Sequence, residues 1–101
     1  MTDDEQAPEE VVVPIEDHLD LHAFHPRDVR SVVEAYLDEA AAAGFREVRL
    51  IHGRGVGVQR EIVRSLLRGR ADVADFADAP PERGGWGATI VRFAPPETRQ
   101  V

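Results

Sequence analysis

The sequence predicts an α/β fold: a two-layer βαβαββ sandwich with a mixed four-stranded sheet and two helices on one face. Three observations lead there. Apolar runs at 18–22, 47–52, 72–77 and 88–93 alternate with two helical patterns. The first three runs are joined through those helices, and right-handed crossovers of this kind make the strands parallel. The third and fourth are joined by the helix-free loop "PPERGGWG", which lets the last strand return antiparallel. If both crossovers step the same way, both helices cover one face of the sheet and the other stays open.

Each element has a local reason. "VVVPI" at 11–15 is a β-like run that Pro14 confines to a lead-in or edge position. "HLDLH" at 18–22 alternates with period two, so Leu19 and Leu21 face the core while His18, Asp20 and His22 face the other way. A helix over about 26–43 begins at Pro26, repeats Val29, Val32, Val33, Tyr36, Leu37 and Ala40 at helical spacing, and stops at Gly44. "EVRLIH" follows as a strand. Val58 to Leu67 then forms a second helix, with Ile62, Val63, Leu66 and Leu67 on one face and an end near Gly69. "DVADFA" is the third strand. "ATIVRF" is nearly continuous in apolar character, which predicts an interior position in the sheet. Residues 1–10 and 94–101 lack apolar periodicity and read as tails around a domain at 11–93.

Composition limits the functions available. A chain of 101 residues, 43% hydrophobic and 31% charged, accommodates one domain with one core. The absence of cysteine excludes disulfides, thiolate metal sites and a thiol nucleophile, and fits a reducing cytoplasm. The N-terminus is acidic where a signal peptide is basic then apolar, and no run has membrane-span length, so a soluble cytoplasmic protein with no membrane partner is expected. Oligomeric state is left at monomer by default. The net charge of −7 opposes nucleic-acid binding, but its distribution does not. Residues 11–101 hold 14 acids against 12 arginines, a net of −2. Between Arg54 and Arg70, five arginines face only Glu61.

Candidate chemistry falls at strand ends. His22 ends the first strand and His52 the second, and the carboxyl ends of parallel strands are where open α/β sheets bind ligands. Asp20 precedes His22 by two on the same side, a spacing at which a carboxylate orients an imidazole or shares a cation with it. With an ordinary pKa of about 6.5, either histidine suits proton exchange near neutrality, which makes them a candidate acid/base pair. "HGRGVG" leads into the second helix, where Gly53, Gly55 and Gly57 allow an anion to approach unpaired helix N–H groups beside Arg54. It is neither a Walker A loop nor a dinucleotide fingerprint. Arg60, Arg64 and Arg68, at i, i+4 and i+8, form a stripe suited to a phosphate backbone. Trp86 in the loop beside Gly85 either caps the core or offers a stacking face to a base. The structural alternatives are hydrogen-bonded histidines, glycines serving only the turn, and a solvated arginine face.

"LDLH" at 19–22, "HGRG" at 52–55 and "GGWGAT" at 84–89 together resemble, in order and spacing, the three motifs of the Smr (small MutS-related) domain family, here in a short stand-alone form. The resemblance spans Leu19 to Phe93. It implies a fold like the C-terminal domain of translation initiation factor three and a nucleic-acid partner, DNA or RNA, which several members nick or cleave. By it, Asp20 and His22 match the motif tied to cleavage, His52, Gly53 and Gly55 match the second motif, and the third lies beside the same rim. The expected function is therefore an endonuclease that hydrolyses phosphodiesters, the alternative being a non-catalytic module on nucleic acid or the ribosome. Metal dependence is left open, a divalent cation such as Mg²⁺ or Mn²⁺ being compatible with the resemblance. One departure stands out: Ala23 occupies a position where the family usually has glycine.

Overall fold

The computed structural model describes residues 15–55 and 57–95. The expected N-terminal tail, residues 96–101 of the C-terminal one, most of the "VVVPI" run and Val56 lie outside them. Four strands and two helices follow the order β1 (His18–Asp20), α1 (Pro26–Ala42), β2 (Glu47–Ile51), α2 (Val58–Arg68), β3 (Val73–Asp78) and β4 (Ala88–Phe93). The spatial order is β1-β2-β4-β3, with β1 parallel to β2 and β4 antiparallel to both β2 and β3. The first three strands thus point the same way, and the most apolar strand is interior.

Strand parity sorts the faces. Leu19 pairs with Leu50, Leu50 with Thr89, Val48 with Val91 and Phe76 with Val91, so these side chains share one face. That face joins Val29, Val33, Leu37 and Ala40 of α1 and Val63, Leu66 and Leu67 of α2 in one buried cluster. The opposite face is less open than expected. Ala88, Ile90 and Ala79 form a second, smaller buried cluster there with Ile51 against it. Arg49 reaches across that side to the carbonyl of Arg83 at 3.0 Å.

Capping explains the boundaries. His25 occupies the N-cap of α1, its Nδ1 accepting from the Arg27 N–H at 3.1 Å. The helix ends in a paired motif: Phe45 N–H donates to Ala40 O and Gly44 N–H to Ala41 O, with Gly44 at φ 91°. β1 is shorter than the sequence pattern because the His22 N–H turns back to Asp20 Oδ1 at 2.9 Å, which ends strand pairing in an Asx-type turn. Phe24 N–H then closes a turn onto Leu21 O at 3.1 Å, so the chain reverses after His22 with Ala23 in place of glycine.

Two side chains tie α1 to its surroundings. Tyr36 donates its hydroxyl to Glu16 O at 2.6 Å, and burial pushes its pKa up to about 12. Arg70, between α2 and β3, binds both Asp72 and Asp38, joining that turn to α1. Among the described residues no helix is long and apolar enough to cross a membrane.

Leu37 is fully buried in the cluster that α1, α2 and the sheet share. Leu37→Ala should lower unfolding free energy by about 2–5 kcal/mol, the range for a truncated buried leucine. Urea denaturation measures it; a loss below about 1 kcal/mol would mean that the site collapses around the cavity or is not the core.

Candidate functional site

The three glycine- and histidine-bearing motifs meet at the carboxyl ends of β1 and β2. Their scaffold is backbone. Gly87 O accepts from both the His52 N–H (3.0 Å) and the Gly53 N–H (2.8 Å), which fastens the turn after β2 to the turn before β4. The fit is close. A Cβ at Gly87 would lie 3.1 Å from Arg54 Cγ, and one at Gly85 3.0 Å from Arg54 Nη2. Arg54 therefore lies along the 84–87 turn while remaining exposed.

Asp20 and His22 stand on the outer side of this rim. His22 Nδ1 is 2.7 Å from Asp20 Oδ1, the same oxygen that accepts the His22 N–H. These two bonds, the backbone one first, hold the Asp20 carboxyl below its ordinary pKa. The carboxylate accepts, so Nδ1 carries the proton and the neutral ring keeps its lone pair on Nε2. Nε2 looks over Gly53, whose Cβ, if it had one, would lie 2.8 Å away. Gly53 adopts φ 82°, a conformation that favours glycine, and the imidazole uses the space that a Cβ would take. Gly55 differs: nothing in the fold approaches its Cα within 4 Å.

His52 is placed differently from the sequence expectation. Period-two parity, continued one residue past β2, turns it to the helix side together with Leu50, opposite to Asp20 and His22. It is only 5% exposed. Gly53 O, an acceptor only, lies 3.0 Å from Nδ1, so Nδ1 is protonated and Nε2 accepts from the Thr89 hydroxyl at 2.9 Å. Burial first, with Arg60 and Arg64 adding to it, lowers the His52 pKa from 6.5. Both ring nitrogens are occupied and the ring is neutral. The expected acid/base pairing of His22 with His52 is therefore corrected: the His52 nitrogens are engaged by Gly53 O and Thr89 on the helix side, where the ring fastens β2 to β4, while His22 stands on the outer side. His18 and His25 lie outside the rim, the former beside Glu16 and Asp17 and the latter capping α1.

The arginine stripe is also reorganised. Arg60 and Arg64 do share a face of α2, but that face flanks β3, and both guanidinium groups donate to Asp78 Oδ1, at 2.8 and 2.6 Å. Their side chains are 20% and 15% exposed, and Arg64 packs over the Phe76 ring. Arg60 in turn holds the Asp78 carboxyl below its ordinary pKa. Arg68 alone of the three is exposed. Spacing predicted the shared face; the capturing carboxylate on β3 was invisible in it.

Trp86 does not cap the core. It belongs to neither apolar cluster, is 42% exposed, and has the Arg60 guanidinium 4.8 Å from its ring centroid. Beside it, a hollow of about 320 Å³ lies between the glycine turn and the first turn of α2, lined by His52, Gly53, Gly55, Val58 and Arg60 among others. No side chain caps α2, whose N-cap is Gly57. Among the described residues no group of three or more His, Asp or Glu is placed to hold a metal ion.

These features define a small two-layer α/β domain with an oriented carboxylate–imidazole pair and a glycine turn at its parallel strand ends, the place where open α/β sheets bind ligands. The Smr domain model matches residues 19–94, and the chain belongs to that family. It is 40% identical over 77 residues to Endonuclease MutS2 of Thermus thermophilus, an alignment covering 76% of this chain and 10% of that protein. It is 41% identical over 73 residues to Endonuclease MutS2 of Carboxydothermus hydrogenoformans, covering 72% and 9%. The chain thus spans about a tenth of the length of these curated relatives. The crystal structure of the Smr domain of Thermus thermophilus MutS2 superposes with a TM-score of 0.75 at 39% identity, covering 79% of this chain and all of that one. YdaL, a stand-alone small MutS-related protein from Escherichia coli, gives 0.74 at 30% identity, covering 79% and 66%.

The neutral, buried His52 makes folding pH-dependent. Its folded pKa lies below the unfolded value, so its contribution is complete above about pH 6.5 and is lost as pH falls towards the folded pKa, because the unfolded chain binds the proton first. Urea unfolding between about pH 7.5 and 5 should show stability falling more steeply in the wild type than in His52→Asn, which is less stable throughout but has no imidazole to protonate. Parallel pH profiles would assign the dependence to other groups.

Proposed function

We propose that the rim binds a nucleic-acid phosphodiester and hydrolyses it, making the chain an endonuclease-type domain. The observation that carries this reading is the Asp20–His22 pair, 2.7 Å apart, with Nε2 presented over the Cβ-less Gly53 at the head of the glycine turn. A phosphate there meets backbone N–H groups at the uncapped start of α2 and the exposed Arg54. The open space at Gly55, which the fold itself does not use, admits it to the main chain.

His22 is the proton-exchanging group. With Asp20 fixing its tautomer, Nε2 takes a proton from the attacking water; as imidazolium it returns one to the leaving oxygen as the P–O bond breaks. Arg54 and the helix N-terminus offset charge on the phosphoryl oxygens. His52 acts through position, keeping Gly53 and Gly87 in register. That two relatives are named endonucleases supports the reaction class.

A second reading, a binding module without turnover, draws on the locked state of His52, which leaves one proton-exchanging histidine at the rim. Nicking of supercoiled plasmid and cleavage of structured RNA, assayed with Mg²⁺, Mn²⁺ or chelator, separates the two. Hydrolysis predicts that Asp20→Ala and His22→Ala each lose about 10²–10⁴-fold in rate while retaining affinity. Binding by all three proteins with cutting by none would establish the module instead.

Arginine exposure gives a separate expectation for affinity against salt. Arg54→Ala should bind nucleic acid more weakly, with a logarithmic salt slope shallower by about one. Arg64→Ala should leave that slope unchanged and instead lower unfolding free energy, since its guanidinium is already held by Asp78. The reverse pattern would return the α2 stripe to the interface.

A further inference from the structure

Trp86 is exposed by construction. The glycines on either side of it face inwards, where their Cα atoms abut Arg54 and Gly53 and Gly87 O binds two N–H groups of the β2 turn. The residue between them is consequently directed away from that contact, in a one-turn 3₁₀ segment set by Gly84 at φ 115° and Gly85 at φ 54°. A large indole left 42% exposed forgoes burial that a small domain needs. It is also backed by a cation that cannot wander. Arg60 lies 4.8 Å from the ring centroid while its Nη2 is held by Asp78 at 2.8 Å, and Asp78 is further anchored by Arg64. The guanidinium takes one ring face.

We infer that Trp86 is a nucleobase subsite, stacking the base of an unpaired nucleotide whose adjoining phosphate sits at the Gly53–Arg54 turn. This rests on the proposed function, and it names the substrate class. A base inside a duplex has both faces covered by its neighbours, so an indole on the protein surface meets only a base that is splayed out, in a single strand, a loop, a gap or a branch point. The contact is tolerant of sequence, because every base offers a π-face. The ring lies on the same loop as the residues that clasp Arg54, which puts phosphate and base contacts within one turn of chain. DNA and RNA share this chemistry.

The chain has a single tryptophan, so its fluorescence reports this site alone. The full chain is titrated at low salt with a single-stranded oligonucleotide as DNA and as RNA, with the blunt duplex, and with an abasic strand of equal length carrying phosphates but no bases. Labelled versions give affinity by anisotropy. Expected are saturable quenching by one or both single strands, none by the abasic strand, and affinity for the single strand roughly tenfold above that for the abasic one. Trp86→Ala should lose that factor while binding the abasic strand as the wild type does, and Trp86→Phe should recover most of it. Whichever of DNA or RNA quenches identifies the source. Equal affinity for base-bearing and abasic strands, or an unquenched indole in a bound complex, overturns the subsite and leaves phosphate binding standing. If no strand binds, both readings fall.

Discussion

The bifurcated bond in which Gly87 O accepts from His52 and Gly53 holds together everything that the rim does. It joins the carboxyl end of a parallel strand to the start of the antiparallel strand beside it, where no regular ladder would hold two glycine turns in contact. A carbonyl has two lone pairs, and both are used here. The buried His52–Thr89 bond lies beneath it on the helix side and supports the same junction. Together they fix where Gly53 presents its bare Cα, and so where an imidazole has room to sit.

The Asp20–His22 pair and the His52–Thr89 bond occupy opposite faces of one sheet. Asp20 and His22 lie outward, Asp20 low in pKa because it accepts twice from a single neighbour. His52 lies inward and buried, and the half-buried Arg60 and Arg64 lie on the same side against the exposed Asp78. The inward histidine stays neutral. The arginines share one carboxylate oxygen, which gives up cationic surface in exchange for a rigid base under Trp86.

Family membership constrains this chain over residues 19–94, and the departure at Ala23 falls where the backbone shows why it is tolerated. The turn after His22 is closed by Phe24 N–H on Leu21 O, and the His22 N–H is already satisfied by Asp20. Neither bond calls for a missing side chain at position 23. Gly53 is the contrasting case, since there the imidazole of another strand fills the space a Cβ would take.

Local physics made much of this legible in the sequence. Periodicity of two and of 3.6 marked all four strands and both helices, Pro26 and Gly44 marked the ends of α1, and the apolar run 88–93 marked the interior strand. Adjacency of Asp20 and His22 on one side followed from strand pleating. Pleating along β2 also puts His52 on the side of Val48 and Leu50; what it could not supply is the partner Thr89, 37 residues away, that holds the ring there. The arginine stripe and Trp86 were misplaced for a similar reason: their partners Asp78, Arg60 and Phe76 are distant in sequence and meet only when α2 lies beside β3. By itself, then, the sequence determined the elements, their order and the residues capable of chemistry, since those are properties of neighbours along the chain. The tertiary structure alone decided which of those residues stay exposed at the rim and which are held by other side chains, because that choice is made by groups brought together across the sheet.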